Sequence, residues 1–594
     1  MLRANPRRPR LSRPESHRAA IVLILLAACA GLYPSGTQAA VQVEVNGVGD
    51  EIESNVRAML GLVRFGKRED LSEGAVRRLY RRSGSQVREA LRPYGYYQPR
   101  IESELERSDG DWVARFSIEL GEPVEIAAVD VRILGEGRDE PRFRSIIENS
   151  PLRAGRRLRH PEYDQLRSRL QSAAAALGYF EADFERHRLE VDPDAHSARI
   201  ILHLQTGPRY RFGTIELNQN ILEEDLIDRI LTIREGQYYD ADALLNTQYR
   251  LTDSLYFSNV LVETRPRDED QLEVPVNIET NPAARQRIRT GIGYATDTRL
   301  RGILKVDWRR LNKAGHSAGT ELRLAQNLSE LTGRYRIPIG DPIKERLLFN
   351  AGYAQEELAD LESRRTTFGA SHITMRGGGW QRRIYTELVN ERTRVADQPA
   401  VRDLLVIPGI GMEKLVADDI LFPREGFRAR GDLRGSPTLL GAPDSFLRIE
   451  LEANRVDSIG EKWRFFSRSS LGIGLVDELG TLPASQRFFA GGDQSVRGYG
   501  FNTLGPRDAE GNVIGGRHLV FGSFEAERLV WGRVALAAFV DAGNALDDFG
   551  DGLEASVGLG VNVHTPVGTV RISLARSVTE SRGMRFHLTI RPDL

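Results

Sequence analysis

The stretch VALAAFVDAG, residues 534–543, alternates between two kinds of side chain and decides the class of fold. Successive side chains of a β-strand point to opposite faces, so a two-residue period predicts a strand with two different faces. One face carries Leu536, Ala538 and Val540, and the other carries Phe539, Asp541 and Gly543. An acid opposite a continuous apolar face predicts a strand that lies between a hydrophobic environment and a polar one.

The same alternation extends through the second half of the chain. In RQRIRTGIGYATD (285–297), Ile288, Ile292 and Tyr294 oppose Arg287, Arg289, Gly291 and Gly293. Near the end, Phe586, Leu588 and Ile590 oppose Arg585, His587 and Thr589. Such segments are typical of transmembrane β-barrels. A soluble β-sandwich also alternates, but it does not usually place so many charged residues opposite its apolar faces. At about 20 residues per strand and connection, residues 283–594 predict an antiparallel barrel of about sixteen strands.

The stretch GGDQSVRGYGFNTLGP (491–506) places a single arginine, Arg497, in a glycine-rich loop between two strand-like segments. The alternation puts Asp541, Glu525 and Glu527 on the lumenal face of the barrel. The planar donor fork of arginine fits carboxylates, and such a pair is stronger in a partly water-excluded lumen than at a surface. A loop that folded inward would allow Arg497 to pair with these acids. The alternative is an arginine that faces solvent. A catalytic role is not expected, because no nucleophile or base motif accompanies it.

Residues 41–280 carry a different pattern, in which helical periods alternate with short strands. A weak repeat, an amphipathic helix that ends in a Gly or Leu–Tyr–aromatic step before a strand, occurs in LRPYGYYQPRIESEL (91–105), AAALGYFEADFERHR (174–188) and LTDSLYFSNVLVETR (251–265). This repeat predicts three α+β units of strand–helix–helix–strand–strand order. Their expected bounds are residues 41–120, 121–206 and 207–280. The aromatic residue after each helix is expected to pack in a core.

The N-terminal residues 1–39 predict a secretory signal peptide. Six arginines and one acid precede the apolar run AAIVLILLAACAGLY, and the small residues Thr37 and Ala39 flank the expected cleavage site. The apolar run is shorter than the about 20 residues of a membrane-spanning helix. LAAC, at Leu26–Cys29, resembles a lipoprotein cleavage box, which leaves lipidation of Cys29 as an alternative.

The composition argues against several classes of protein. The chain has 82 basic and 83 acidic residues, so a nucleic-acid-binding function is not expected. Cys29 is the only cysteine, so we expect no disulfide in the mature protein and predict no metal or cofactor site. With 10 histidines and no Ser/His/Asp arrangement that stands out, we do not expect an enzyme.

The signal peptide, the repeated units and the C-terminal barrel together resemble the BamA/TamA superfamily of outer-membrane assembly factors, whose soluble repeats are called POTRA domains. Two motifs carry the resemblance. VRGY, formed by Val496, Arg497, Gly498 and Tyr499, is similar to the family's motif in the sixth extracellular loop, which folds back into the barrel. FVDAG, from Phe539 to Gly543, is similar to its strand motif. The resemblance implies that the loop folds inward, that Arg497 pairs with Asp541, Glu525 and Glu527, and that the loop acts as a latch that stabilises the barrel.

Within this superfamily, three repeats resemble the TamA branch. BamA-like proteins usually have five, and two-partner secretion transporters have two behind a plug helix. YRIPIGDP (335–342) and RPDL (591–594) are also similar to TamA sequences. The chain departs from many outer-membrane barrels by ending in Leu594 instead of an aromatic residue, and Phe586 is expected to take the aromatic role.

The first barrel strand must pair with the last one to close the barrel. Gly291 and Gly293 weaken the first strand, and Pro592 cannot donate a ladder hydrogen bond, so pairing is expected to stop there. The apolar face of the last strand is formed by Phe586, Leu588 and Ile590. We expect a short, weak seam, whose opening exposes an edge that templates an incoming strand.

The resemblance implies an outer-membrane protein with periplasmic POTRA-like domains that inserts other outer-membrane proteins, such as autotransporters. It also implies three kinds of partner: a TamB-type protein anchored in the inner membrane, nascent β-barrel clients and the lipid bilayer. TamA-type complexes are also linked to phospholipid transport to the outer membrane, and the residues do not separate these two roles. The alternative function is a two-partner-type secretion pore that exports a dedicated protein.

Overall fold

The computed structural model describes residues 41–65, 71–108, 111–297, 299–358, 360–395, 399–419, 421–566, 568–579 and 583–591. The predicted signal peptide with Cys29, and the C-terminal Pro592 and Leu594, lie outside the described residues. The chain divides into two compact units, of which the first ends at Tyr210 and the second begins at Arg211.

The first unit contains two domains of similar construction. Its strands are β1 (Val41–Asn46), β2 (Arg100–Ser108), β3 (Asp111–Glu119), β4 (Glu125–Leu134), β5 (Asp183–Asp192) and β6 (Ser197–Gln205). Its helices are α1 (Asp50–Met59), α2 (Gly61–Phe65), α3 (Glu73–Leu91), α4 (Pro141–Glu148) and α5 (His160–Ala176). The strands form two sheets, β1-β3-β2 and β4-β6-β5, in which the central strand is parallel to the first strand and antiparallel to the other. The short helix α2 is an addition to the predicted order in the first domain.

The helices of these domains each bury an apolar face against a sheet. Val56 of α1, Val76 of α3 and Phe116 of β3 are enclosed in the first domain, and Phe143 of α4 and Ile200 of β6 are enclosed in the second. Burial of a large apolar side chain contributes about 1.5–3 kcal/mol, so each domain has a core of its own. Among the described residues, no helix is both long and apolar enough to span a membrane.

The second unit begins with a third domain of the same order. It consists of β7 (Arg211–Asn218), α6 (Glu224–Ile230), α7 (Ala241–Asp253), β8 (Phe257–Thr264) and β9 (Glu273–Pro282), with the sheet order β7-β9-β8. The predicted strand–helix–helix–strand–strand architecture is therefore confirmed in three copies.

The repeated step after the last helix of each domain has a common backbone geometry. Gly95, Gly178 and Leu255 adopt left-handed conformations, with φ of 86°, 87° and 63°. Helices commonly end with one residue in this region, which glycine adopts freely and leucine adopts with strain. The aromatic residues that follow in the first two domains, Tyr96 and Tyr179, are buried as expected.

The rest of the second unit is a sixteen-stranded antiparallel sheet in chain order, which confirms the predicted barrel. Its strands are β10 (Gln286–Ala295), β11 (Arg299–Trp308), β12 (Ser317–Ala325), β13 (Leu328–Pro338), β14 (Glu345–Leu358), β15 (Leu361–Met375), β16 (Gln381–Val395), β17 (Val401–Ala417), β18 (Gly426–Ser436), β19 (Phe446–Ile459), β20 (Trp463–Leu475), β21 (His518–Trp531), β22 (Val534–Leu546), β23 (Glu554–Thr565), β24 (Gly568–Ser577) and β25 (Arg585–Arg591).

The alternation along these strands separates an outer apolar face from a polar lumen. In β22, Leu536 and Val540 are about half exposed on the outer face, whereas Asp541 is fully buried on the other. In β21, Phe524 lies on the outer face and Glu525 faces the lumen, at 3% exposure. The lumenal face therefore holds charged groups that are shielded from water.

The third domain is attached to turns at one end of the barrel within the same unit. Arg250 of α7 donates from Nη1 and Nη2 to the two carboxylate oxygens of Asp341, in the turn between β13 and β14, both at 2.9 Å. Burial would raise the pKa of Asp341, but the hydrogen bonds from Arg250 and from a backbone N–H keep that pKa below its usual value. The hydroxyl of Tyr256 donates to the carbonyl of Gly315 at 2.6 Å, and burial raises the pKa of this tyrosine to about 12.

Candidate functional site

The loop between β20 and β21, residues 476–517, folds into the barrel lumen, and we call it the latch loop. Its Arg497 is 6% exposed and faces two carboxylates of the barrel wall. Nε and Nη2 of Arg497 donate to Oδ2 and Oδ1 of Asp541, both at 2.8 Å, and Nη1 donates to Oε2 of Glu525 at 2.7 Å. The backbone N–H of Arg497 also donates to Asp541, at 3.2 Å. The guanidinium thus joins the loop to two neighbouring strands.

An aromatic ring supports the other face of the guanidinium. Cζ of Arg497 lies 3.3 Å from the ring centroid of Phe539, in the geometry of a cation–π contact. The ring lies over Gly558 of β23, where an added Cβ would be 2.2 Å from Cζ of Phe539. Gly498 is equally confined, because a Cβ there would lie 2.8 Å from the backbone nitrogen of Ser577. Gly498 therefore permits the close approach of the loop to the wall, and Gly558 leaves room for the ring that supports Arg497.

The other residues of the two motifs contribute packing and further polar contacts. Val496 and Tyr499 are fully buried. The hydroxyl of Tyr499 donates to the carboxylate of Glu554, the first residue of β23. Gly543 lies where a Cβ would be 2.5 Å from the carbonyl oxygen of Val520, so this position also requires the absence of a side chain.

Glu527 does not take part in the arginine pair, contrary to the sequence expectation. It lies on the lumenal face, but two residues further along β21 than Glu525. Arg464 stands directly opposite it in β20 and donates from Nη2 at 2.7 Å. Asn562 and His564 occupy its remaining acceptor positions, at 2.8 and 2.9 Å. The neighbouring strand thus supplies Glu527 with its own arginine.

Several residues of the site have no distinctive sequence signal. Ser523 donates to Asp541 at 2.8 Å, and Nε2 of His587, in β25, bonds the carbonyl of Arg497 at 2.7 Å. The alternation predicts that Ser523 and His587 face the lumen, but it does not predict which residues they contact. The backbone N–H of Asp493 donates to the carboxylate of Asp297, in the turn after β10. Burial and the neighbouring Asp493 carboxylate raise the pKa of Asp297.

The first and last strands of the barrel meet at a seam with few hydrogen bonds. Among the described residues, one backbone bond joins them, from the N–H of Thr296, just after β10, to the carbonyl of Leu588 in β25, at 3.2 Å. Two more bonds use side chains. The N–H of Leu588 donates to Oγ1 of Thr296 at 2.7 Å, and Nη2 of Arg301 donates to the carbonyl of Ile590 at 2.8 Å.

The remaining predicted seam residues take no part in a backbone ladder between β10 and β25 in the described ranges. Gly291 and Gly293 pair with β11 on their other side, in a register that extends along all of β10. The side chain of Phe586 points outward and is 51% exposed. The junction is therefore held at one end of the two strands.

Within the described part of the chain, no group of three or more His, Cys, Asp or Glu side chains could hold a metal ion. The arrangement of Arg497, Asp541 and Glu525 instead forms a closed set of ion pairs inside the lumen. Such a set can fix a loop against a wall, because every partner is buried and hydrogen-bonded.

Three parts of the chain match known family models. Residues 415–590 match the Omp85 superfamily domain, which covers most of the barrel's second half. Residues 42–120 match the first POTRA domain of TamA. Residues 210–282 match a POTRA family described as a surface antigen variable number repeat. None of these descriptions names an enzyme.

Two curated relatives carry the name outer membrane protein assembly factor BamA. The protein from Nitratidesulfovibrio vulgaris is 25% identical over 402 residues, which cover 63% of this chain and 49% of the relative. The protein from Neisseria meningitidis is 21% identical over 503 residues, which cover 76% of this chain and 61% of the relative. The chain thus spans about half to three fifths of the length of these relatives.

A solved structure shares the fold. The crystal structure of BamA from Haemophilus ducreyi lacking POTRA domains 1–3 aligns with a TM-score of 0.62 and 16% identity. The alignment covers 78% of this chain and 99% of that structure. At this identity the likeness concerns the architecture of the barrel and of the soluble domains.

Proposed function

Because the chain belongs to the BamA/TamA superfamily of outer-membrane proteins with POTRA domains, we propose that it assembles other outer-membrane proteins through its seam. The barrel lies in the outer membrane and the POTRA domains lie in the periplasm. The observation that carries the proposal is the seam itself. Among the described residues, one backbone hydrogen bond and two side-chain bonds join Thr296 and Arg301 of the first hairpin to β25, whereas β10 and β11 are paired along their full length.

The seam is the junction that opens most easily. A net hydrogen bond contributes about 0.5–1.5 kcal/mol, so the three seam bonds together oppose opening by only a few kcal/mol. Opening exposes the unpaired N–H and C=O groups of β10, and such an edge is a template for an added strand. In hydrocarbon an unpaired backbone group is costly, which favours the binding of a client strand at that edge.

In this proposal the latch loop stabilises the adjacent barrel wall while the seam opens and closes. Arg497 ties the loop to β21 and β22 through Glu525 and Asp541. We assign this role to the VRGY motif, because its arginine is buried and its carboxylate partners are supplied by two different strands.

The TamA-like first domain and the three-domain periplasmic region support a proposal about the clients and partners. We propose that the clients include autotransporters and that the POTRA domains bind a TamB-type protein anchored in the inner membrane. Phospholipid transport toward the outer membrane is a second role of the same complex in this proposal.

A disulfide across the seam tests the mechanism. Tyr294 lies two residues before Thr296, and Ile590 lies two residues after Leu588, so the two flank the Thr296–Leu588 contact on the same side. Both are replaced by cysteine in a Cys29→Ser background. The matched control is a cysteine pair at Leu304 and Leu322, which face each other in the fully paired strands β11 and β12.

Oxidation of the seam pair should abolish the assembly of an autotransporter client into vesicles, and reduction should restore it. The control pair should leave assembly unchanged in both states. Full activity with a quantitatively oxidised seam would contradict the proposal.

Affinity purification of the full-length protein after cross-linking in cell envelopes distinguishes the partners. A large inner-membrane-anchored protein rich in β-structure is the expected result. A set of small lipoproteins would instead indicate a BamA-type complex. A single secreted protein would favour the two-partner-type exporter. In a separate measurement, a large and steady single-channel conductance of the purified barrel would also favour that exporter.

A further inference from the structure

One side chain crosses the first barrel strand to reach the last one. Arg301 of β11 stands directly opposite Gly293 of β10, and both belong to the lumenal face. From there Nη2 of Arg301 donates to the carbonyl of Ile590, which lies in β25 on the far side of β10. The guanidinium therefore passes over β10 at Gly293 and bonds the edge of the last strand.

The crossing depends on the absence of a side chain at Gly293. A Cβ there would lie 2.7 Å from Nε and 3.3 Å from Cγ of Arg301, so the guanidinium would be displaced. Gly291, the preceding residue on the same face, has no neighbour within 4 Å of an added Cβ. The two glycines look alike in the sequence, but only Gly293 has a steric reason to be glycine.

The carbonyl of Ile590 is a backbone acceptor at an edge where β10 supplies no ladder donor among the described residues. Unpaired edge groups of this kind bind added strands, and proteins often protect them with inward-pointing charged side chains. We infer that Arg301 is a positioning residue of the seam that caps this carbonyl in the closed state, and that its withdrawal prepares the edge for an incoming strand. This inference rests on the proposed opening of the seam.

Strand addition to the full-length protein tests the cap directly. The probe is a fluorescent, C-terminally amidated peptide of sequence RFHLT, which copies residues 585–589, lacks the Ile590 carbonyl that Arg301 bonds, and pairs with the edge of β10 when the seam is open. Its binding to the protein in lipid vesicles is measured by fluorescence anisotropy. The variants are Arg301→Ala, Arg301→Lys, Gly293→Ala and Gly291→Ala.

Arg301→Ala and Gly293→Ala should each bind the peptide about tenfold more tightly than the unchanged protein, because a hydrogen bond from a charged donor is lost at the seam. Arg301→Lys should give an intermediate affinity, since its ammonium group still donates but from a different position. Gly291→Ala should not bind the peptide more tightly than the unchanged protein.

The two glycine variants separate the cap from a general effect on the strand. Alanine is a better strand residue than glycine, so propensity alone would tighten the seam at both positions. Weaker closure in Gly293→Ala, with no such loss in Gly291→Ala, is the expected signature. Equal affinities for all variants, or no peptide binding by any of them, would overturn the inference.

Two further measurements keep this result separate from the proposed function. Retained heat-modifiable migration in gels shows that each variant still forms a folded barrel. The seam disulfide between positions 294 and 590 tests client assembly independently of Arg301. A seam lock that blocks assembly, together with unchanged peptide affinity in Arg301→Ala, would refute the cap and leave the proposed function intact.

Discussion

Replacement of Arg497 by alanine should release the latch loop from the barrel wall. The side chain of Asp541 is fully buried, and that of Glu525 is 5% exposed. Without the guanidinium, Glu525 keeps the amide of Asn562 at 3.2 Å and Arg571 at 3.7 Å. Asp541 loses its bidentate partner and has no other cation within ion-pair distance among the described residues, so most of the cost falls on this carboxylate.

The magnitude follows from this uncompensated charge. Removal of one partner from a buried ion pair costs about 3–5 kcal/mol, which corresponds to a roughly 150- to 5,000-fold shift toward the released loop. In Arg497→Lys, the released fraction of the loop should lie between that of the unchanged protein and that of Arg497→Ala. An ammonium group keeps the charge but cannot reproduce the bidentate fork. The double variant Arg497→Ala with Asp541→Ala should lose less than the sum of the single changes, because the orphaned carboxylate is absent.

Limited proteolysis of the full-length barrel by proteinase K measures the open population, because cleavage follows the released fraction when closing is fast. Arg507→Ala is the matched control, since it removes an exposed arginine from the same loop. Cleavage of the latch loop should rise at least about 100-fold in Arg497→Ala and stay within about twofold in the control. Unchanged cleavage in Arg497→Ala, or strict additivity in the double variant, would refute the ion-pair account.

Three further predictions follow from the same geometry. Gly558→Ala should also raise cleavage of the latch loop, because its Cβ would meet the ring of Phe539 at 2.2 Å, whereas Gly522→Ala has no neighbour within 4 Å and should not. Arg250→Ala should weaken the attachment of the third domain by about 1.5–3 kcal/mol, visible as faster hydrogen exchange in the turn between β13 and β14. The contact between Arg250 and Asp341 should be at full strength above about pH 4 and should be lost as the pH falls through the lowered pKa of Asp341. In Asp341→Asn, exchange in that turn should no longer depend on this titration.

The sequence predicts well those features that follow from local periodicity. The two-residue period identified the barrel and assigned Asp541 and Glu525 to the lumenal face, because the face of a strand residue depends only on its position in the strand. The glycine-rich context and the motif resemblance then pointed to Arg497 as the residue that meets them. The residue with a left-handed conformation after the last helix is a glycine in the first two domains, which the repeat in the sequence shows. In the third domain it is Leu255.

Features that depend on register between distant strands could not be predicted. Glu527 has the same face and chemistry as Glu525, but Arg464 lies opposite it only because of the register of β20 against β21. The sequence around Gly558 carries no sign that the ring of Phe539, from the neighbouring strand, lies over it. Gly293 was expected to weaken its strand, whereas the crossing of Arg301 gives it a steric role that no single segment contains.

The contacts of the latch loop are divided unequally between the two sides of the seam. On the last-strand side, the loop holds β21 and β22 through the ion pairs of Arg497, and β25 through the bond from His587 to the carbonyl of Arg497. At the first hairpin, β10 and β11, the loop is held among the described residues by the bond from the N–H of Asp493 to Asp297. When the seam opens, the loop can therefore stay with the last strands and give up a single hydrogen bond. The free energy of opening is then set mainly at the first hairpin, by Thr296 and Arg301, and the latch can stabilise the barrel without locking the seam.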